Sequence, residues 1–247
     1  PLSIKPIKAR IPTLAKELSS KKSGDACEAI MTTDTRKKEL AVEFEIEGRK
    51  CHVGGISKGS GMIAPNMATM LGFITTDVAI CHELLEKALR KVNQLTYSMV
   101  SVDGDTSTND TILGLANGAS GVAVRSARDL AQLEEALTAI LGTVSHMLVM
   151  DGEGASKVIH ITVTGAASEA DAALVARSVG HSQLVKTAIY GGDANWGRIV
   201  TAVGYSGASF DPTQVGLTLC GVERFRQGRP VNDDKEDLLA ERLKAKD

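Results

Sequence analysis

The sequence predicts a layered fold that mixes α-helices and β-strands, of the α/β or α+β class. Apolar and polar residues alternate at Val42–Ile46, which is the period of a half-buried strand. Apolar residues between Leu85 and Met99 recur instead at helical spacing. Because segments of both kinds are interleaved along the chain, helices are expected to pack in layers against sheets.

The order of elements follows from local patterns. A helix is predicted over Ile7–Leu18, and Gly48 supplies the turn of a hairpin whose return strand begins at Cys51. Ser126-x-x-Asp129 and Ser168-x-x-Asp171 are typical of capped helix starts. The remaining predictions are a buried apolar run at Met70–Ile74, strands at Val158–Thr164, Thr187–Tyr190, Ile199–Val203 and Val215–Leu219, and a charged helix at Asp233–Lys246.

Composition excludes some classes of function. Hydrophobic residues make up 43% and charged residues 23% of the 247 positions, with 28 basic and 30 acidic side chains. This balance gives no overall charge that would recruit nucleic acid or an anionic membrane. The short basic runs Lys21-Lys22 and Arg36-Lys37-Lys38 are interpreted as solvated surface. No apolar run approaches the roughly 18 residues of a membrane span.

The four cysteines, Cys27, Cys51, Cys81 and Cys220, show neither CxxC pairing nor the spacing of a zinc site. Free thiols in a reducing cytoplasm are therefore predicted.

Two motifs imitate known sites and are rejected. Gly55-Ile-Ser57-Lys-Gly59 matches the GxSxG nucleophile elbow. In that motif a helix must follow the serine, and Gly61 and Pro65 are incompatible with a helix there. The run that starts at Asp103 places oxygen side chains at alternate positions like a calcium loop, but it lacks the required Gly and Glu.

The run Asp103–Asp110 leaves two interpretations open. It is either a turn cluster whose side chains bond to local backbone, or a loop that lines a site.

The glycine-rich segment Gly54–Thr69 allows three interpretations. It can be an irregular crossover packed closely on a sheet, or a phosphate loop, although neither GxxxxGKS nor GxGxxG fits. It can also end in a self-cleaving threonine. Thr is a poor nucleophile unless a base lies beside it, and a free α-amine with a pKa of roughly 7.7–8.0 can be that base. Attack by Thr69 on the Ala68 carbonyl would release that amine.

Several motifs occur in an order that resembles one family, the ornithine acetyltransferases. They are Thr32-Thr-Asp-Thr35, Lys58-Gly-Ser-Gly-Met-Ile-Ala-Pro-Asn-Met-Ala-Thr-Met70, Ser101-Val-Asp-Gly-Asp-Thr-Ser-Thr-Asn-Asp110, Asp151-Gly-Glu-Gly-Ala155 and Gly192-Asp-Ala-Asn-Trp-Gly197. Together they span nearly the whole chain. The resemblance implies cleavage between Ala68 and Thr69, with Thr69 as nucleophile and with Thr32, Lys58, Thr69 and Glu153 binding the substrate.

The implied reaction is acetyl transfer from N-acetylornithine to glutamate through an acetyl-threonine intermediate, in the cytoplasm, without a metal or bound cofactor. Some members of the family also use acetyl-CoA as a co-substrate. The implied partners are the α and β chains of the cleaved protein, assembled as a dimer of αβ units. Neither nucleic acid nor a membrane is an expected partner.

The implied fold is an αββα sandwich with a second, smaller α/β domain. The sandwich would cover residues 1–166, divided into an α chain that ends at residue 68 and a β chain that starts at residue 69. The smaller domain would cover residues 167–247. Full-length members carry further segments before and after this region, including a Thr-Gly pair that supplies an oxyanion hole. The chain alone is therefore expected to be inactive in acetyl transfer and unable to cut itself.

Two rival functions remain. A related N-terminal-nucleophile amidohydrolase or aminopeptidase would pass its acyl group to water instead of glutamate. A non-catalytic remnant that serves as an interaction module would tolerate the loss of Thr69.

Overall fold

A computed structural model of the chain describes residues 3–64 and 70–244. The helices are α1 (Lys5–Glu17), α2 (Ser23–Ala29), α3 (His82–Leu95), α4 (Ala127–Met150), α5 (Glu169–His181), α6 (Gln183–Tyr190), α7 (Trp196–Gly204) and α8 (Glu236–Arg242). The strands are β1 (Lys38–Ile46), β2 (Arg49–Lys58), β3 (Leu71–Thr76), β4 (Thr111–Ala116), β5 (Leu217–Leu219), β6 (Val222–Arg226) and β7 (Arg229–Pro230). The predicted α/β class is confirmed.

The larger sheet has the strand order β1-β2-β3-β4. Strands β1 and β2 form the predicted hairpin, in which Val42 pairs with Val53, and β2 pairs antiparallel with β3. Strands β3 and β4 are parallel, with Leu71 opposite Thr111. A parallel pair needs a crossover connection, and α3 lies within it.

The main hydrophobic core lies between this sheet and helices α3 and α4. Alternate residues of the strands point into it, because successive side chains of a strand face opposite sides. At Gly55, an added Cβ would lie 2.9 Å from Ile74 Cδ1 and 3.1 Å from Ile140 Cγ2, so only a glycine lets α4 approach this closely. Residues with almost no exposed surface include Ile46, Cys51, Val53, Leu133, Leu137, Ile140, Leu141 and Val144.

Helix α4 begins as its capping sequence predicts. The Ser126 hydroxyl accepts a hydrogen bond from the Asp129 N–H, and the Asp129 carboxylate accepts one from the Ser126 N–H. By length and composition α4 would also pass as a membrane-spanning helix, alone among the helices of residues 3–64 and 70–244, but a buried core helix meets the same criterion. Its buried residues place it in the core.

A second, smaller core forms in the C-terminal part of the described chain. It contains Val179, Val185, Ile189, Ile199, Ala202 and Leu243, and it lies beside the antiparallel sheet β5-β6-β7. The predicted domain boundary near residue 166 stays a prediction.

Three of the predicted strands are wrong. Thr187–Tyr190 and Ile199–Val203 lie in helices α6 and α7. Both are short apolar runs, which periodicity cannot assign between strand and helix, and Ser182 starts α6 by accepting a hydrogen bond from the Val185 N–H. Val158–Thr164 forms neither strand nor helix, and it pairs with none of the described strands.

Two predictions about individual side chains are confirmed. All four cysteines are free. Ser57 lies in β2, is 1% exposed and donates its hydroxyl to the Leu71 carbonyl at 3.0 Å, which excludes it as an elbow nucleophile.

Candidate active site

A cavity of about 300 Å³ lies where the loop before β1, the end of β2 and the end of α4 meet. Eight residues from four of the five family-like motifs line it: Thr32, Thr33, Gly59, Ser60, Gly61, Met62, Asp103 and Glu153.

The cavity brings together part of the predicted site. Thr32 and Glu153 line it from segments that are far apart in sequence. Lys58 lies next to the lining residue Gly59, at the end of β2, and is 8% exposed. Ala68 and Thr69 fall outside the described residues.

The segment after β2 follows an unusual backbone path that shapes the cavity. Gly59 has φ +144° and Met62 has φ +50°, a left-handed value that is uncommon for a residue with a side chain. The Asp103 carboxylate accepts hydrogen bonds from the Met62 N–H at 2.6 Å and the Ile63 N–H at 3.0 Å. These two bonds stabilise the turn and attach the loop Asp103–Asp110 to the cavity wall.

Glu153 is held close to that turn. Its backbone N–H donates to the Ser60 carbonyl at 2.7 Å. A Cβ added at Gly61 would lie 2.9 Å from Glu153 Cδ and 3.0 Å from Oε2. The glycine therefore provides the space in which the carboxylate lies, and that carboxylate can meet a cationic group of a ligand.

Behind the cavity lies a buried cluster of Lys38, Asp34 and Asp151. Lys38 Nζ is 2.7 Å from Asp34 Oδ1 and 2.6 Å from Asp151 Oδ2, and the side chains are 1%, 0% and 4% exposed. Burial alone would raise the pKa of both carboxyls. Both carboxylates accept a hydrogen bond from Lys38; Asp34 also accepts from the Gly59 and Thr32 N–H groups, and Asp151 from Thr35. Because these hydrogen bonds outweigh burial, the pKa values of both carboxyls lie below that of an ordinary aspartate.

Asp110 lies in a different environment. Its Oδ1 accepts a hydrogen bond from the Met70 N–H at 2.9 Å, while its buried Oδ2 has no partner among the described residues. Burial raises the pKa of Asp110 against the opposing effects of the Met70 N–H and of the Lys58 charge. This carboxyl therefore lies beside the residue that follows Thr69.

Both interpretations of the loop Asp103–Asp110 describe part of it. The Asp105 N–H bonds to Asp103 Oδ1 and the Asn109 N–H bonds to Ser107 Oγ, as in a turn cluster. Asp103 also lines the cavity.

A second cavity of about 500 Å³ shares Glu153 with the first. It extends between the C-terminal part of α4 and helices α5 and α6, and its lining includes His146, Lys157, Arg177 and Lys186. Lys157 Nζ and Lys186 Nζ donate to the Ile189 and Val102 carbonyls, which fixes these lysines to the protein backbone.

The whole chain, residues 1–247, matches the model of the ArgJ family. The chain belongs to the ArgJ family. It is 53% identical over 236 residues to the arginine biosynthesis bifunctional protein ArgJ of Nitratidesulfovibrio vulgaris, covering 96% of this chain and 60% of that protein. It is 49% identical over 236 residues to the glutamate N-acetyltransferase of Methanocaldococcus jannaschii, covering 93% of this chain and 58% of that protein.

A solved structure supports the same family. The crystal structure of the arginine biosynthesis bifunctional protein ArgJ from Bacillus halodurans matches with a TM-score of 0.66 at 38% identity, covering 70% of this chain and 81% of that one. The chain spans about 60% of the length of the curated family members cited above.

The sequence interpretation missed the buried cluster. Lys38 was assigned to a solvated basic run, and that assignment is wrong, because Lys38 is 1% exposed and paired with two carboxylates. Asp34 and Asp151 lie inside two of the family-like motifs, but the resemblance implies no role for either. The signal that could have found Lys38 is its place at the start of a strand whose alternate residues Leu40 and Val42 point into the core.

Proposed function

We propose that the full-length protein transfers an acetyl group from N2-acetyl-L-ornithine to L-glutamate in arginine biosynthesis. Thr69 is the nucleophile, released by cleavage of the Ala68–Thr69 bond. The observation that carries the proposal is the cavity in which Thr32 and Glu153 meet beside Lys58, in a chain of the ArgJ family. The names of the two relatives, which refer to arginine biosynthesis and glutamate N-acetylation, support it.

The charges near the cavity suit the substrate. The acetylated nitrogen of N-acetylornithine is neutral, which leaves one carboxylate and one side-chain ammonium to be recognised. The Lys58 ammonium is assigned to the carboxylate and the Glu153 carboxylate to the ammonium. Because Lys58 is largely buried, its interaction with a ligand carboxylate is less screened by water than at an open surface.

The reaction proceeds in two halves. The Thr69 hydroxyl attacks the acetyl carbonyl while the α-amine of the same residue takes the proton. The amide C–N bond breaks, the proton passes to the departing amine, and ornithine leaves an acetyl ester on Thr69. The amine of glutamate then attacks the ester carbonyl and gives a proton to the same α-amine. The ester C–O bond breaks, and the α-amine passes that proton to the departing Thr69 oxygen, which releases N-acetylglutamate. No metal or bound cofactor takes part.

The decisive assay incubates the full-length protein with N-acetylornithine and isotope-labelled glutamate. Labelled N-acetylglutamate is the expected product, and Thr69→Ala, which lacks the hydroxyl, should abolish it. Acetate release without transfer to glutamate would favour the amidohydrolase. Unchanged turnover of Thr69→Ala would refute the nucleophile. A parallel reaction with acetyl-CoA as donor tests the second activity found in some members.

Intact-mass measurement tests the cleavage. Two fragments that meet at Ala68 and Thr69 are expected from the full-length protein, and the Thr69→Ala protein should remain one chain. A single unbroken wild-type chain with full activity would refute the proposed origin of the base. Native mass measurement of the same sample tests the proposed dimer of αβ units, and fractionation of cells tests the proposed cytoplasmic location.

A further inference from the structure

Two distant segments of the chain meet at one buried lysine. Lys38 begins β1, Asp34 lies in the loop before it, and Asp151 follows the last turn of α4. The ammonium of Lys38 bonds both carboxylates, and all three side chains are almost fully buried. A lysine is rarely buried to this degree unless it is paired.

Asp34 holds backbone of the cavity wall, and Asp151 holds Thr35, which follows the lining residues Thr32 and Thr33. Asp34 Oδ1 accepts from the Gly59 N–H at 2.6 Å, and Asp34 Oδ2 accepts from the Thr32 N–H at 3.1 Å. Asp151 Oδ2 accepts from the Thr35 N–H at 3.0 Å, and its other oxygen accepts from the Thr35 hydroxyl.

The held positions adjoin the proposed substrate residues. Thr32 is held directly, Gly59 follows Lys58, and Asp151 lies two residues before Glu153, whose N–H is bonded to the Ser60 carbonyl. The buried cluster is thus the point at which the three substrate-binding segments are joined.

We propose that Asp34, Lys38 and Asp151 are positioning residues, which fix Thr32, Lys58 and Glu153 at the spacing that the amino-acid substrate requires. The identity of the substrate in this inference rests on the proposed function. The hydrogen-bonded link between the three segments does not depend on it. None of the three positioning residues lines the cavity. They act only through the segments that they hold.

The charge balance explains why the link is strong. Two carboxylates face one ammonium, and the excess negative charge is met by the Gly59, Thr32 and Thr35 N–H groups and the Thr35 hydroxyl. Charge-assisted hydrogen bonds of this kind are stronger than neutral ones. Loss of Lys38 leaves two carboxylates buried without their cation. Loss of one carboxylate leaves Lys38 paired with the other one, but it releases the groups that the lost carboxylate held.

The experiment compares Asp151→Asn, Asp151→Ala and Lys38→Met in the full-length protein with a matched control, Glu43→Gln. Glu43 also lies on β1 and pairs with a lysine, Lys50, but both side chains of that pair are exposed. Three quantities are measured: the melting temperature, the KM and kcat for N-acetylornithine and glutamate, and the hydrogen-exchange rates of the Thr32, Thr35 and Gly59 amides.

Asp151→Asn keeps one oxygen for Thr35 but loses the charge that pairs with Lys38, whereas Asp151→Ala loses both interactions. KM for both substrates is therefore expected to rise roughly 10-fold in the first variant and up to about 100-fold in the second, with a smaller change in kcat. Exchange of the three amides should accelerate in the same order. Glu43→Gln should match wild type in every quantity.

A lower melting temperature with unchanged KM and unchanged amide exchange at Thr32 and Gly59 would overturn the inference, since the cluster would then only stabilise the fold. Should Asp151→Ala fail to fold, Asp151→Asn decides the question alone. If the wild type transfers no acetyl group, the proposed function fails, and the amide exchange rates still support or refute the link between the segments.

Discussion

Two groups of carboxyls, the pair Asp34 and Asp151 and the single Asp110, have opposite electrostatic surroundings. Asp34 and Asp151 share a buried ammonium and accept further hydrogen bonds, and their pKa values are lowered. Asp110 accepts one hydrogen bond from Met70, keeps a buried oxygen without a described partner, and has a raised pKa. The first group is built to remain ionised, while the second resists ionisation. The same type of side chain therefore holds backbone segments in the buried cluster and remains a poorly compensated carboxyl at Asp110.

The largest expected effect comes from Lys38→Met. It leaves Asp34 and Asp151 buried without their shared cation, which should lower the free energy of unfolding by about 3–5 kcal/mol. Urea unfolding at pH 7 measures the change. A loss below about 1 kcal/mol would mean that the cluster resembles an exposed ion pair, and the contrast with Asp110 would disappear.

Gly61→Ala tests the role of the Glu153 side chain separately from that of the buried cluster Asp34, Lys38 and Asp151. The new Cβ would lie 2.9 Å from Glu153 Cδ, so the Glu153 side chain must move, while the buried cluster is untouched. We expect a KM for N-acetylornithine that is roughly tenfold higher, equivalent to about 1.4 kcal/mol, with little change in the free energy of unfolding. Steady-state kinetics and urea unfolding of one preparation check both parts. A wild-type KM would exclude Glu153 from substrate binding.

The dependence of stability on pH should differ in sign between the two groups. The lowered pKa values of Asp34 and Asp151 stabilise the fold above their unfolded pKa of about 3.9, and this contribution is lost as the pH falls through the lower folded values. The raised pKa of Asp110 acts in the opposite direction, favouring the fold below about pH 3.9 and losing that contribution as the pH rises through the folded value.

Urea unfolding between about pH 7 and about pH 3 checks these signs. As the pH falls, the free energy of unfolding should decrease less in Asp34→Asn than in wild type. It should decrease more in Asp110→Asn than in wild type. Parallel curves for all three proteins would show that neither group titrates differently in the folded and unfolded states.

The smallest effect is expected for Asp110→Asn at pH 7. The amide keeps an oxygen for the Met70 N–H and removes a charge that burial disfavours. Because solvent screens a partly exposed carboxyl, the gain in the free energy of unfolding should stay below about 1 kcal/mol. A loss of more than about 1 kcal/mol would instead show that the ionised carboxylate is needed in the fold.

Local patterns predicted the first half of the fold better than the second. The hairpin β1-β2 and the capped helix α4 were found because alternation and capping act over neighbouring residues. Strands at Thr187–Tyr190 and Ile199–Val203 were predicted, but helices formed, because both runs are too short for periodicity to distinguish the two structures.

The site was predicted unevenly for a related reason. Motif resemblance predicts a substrate-binding role for Thr32, Lys58 and Glu153, because each lies in a distinctive run of residues. It gave no role to Asp34 and Asp151, and composition placed Lys38 on the surface. Lys38 contacts Asp34, which is 4 residues away, and Asp151, which is 113 residues away. A local sequence pattern does not show the second contact.

The pairing of β2 with β3 has a consequence for a chain cut at residue 69. Arg49–Lys58 precedes that point and Leu71–Thr76 follows it, and the two strands are hydrogen-bonded neighbours over six residue pairs from Val53–Thr76 to Lys58–Leu71. Scission of the backbone would produce two polypeptides that still complete each other's sheet. Their separation would require denaturation, so a processed molecule would migrate as two bands in detergent and remain one particle in native buffer.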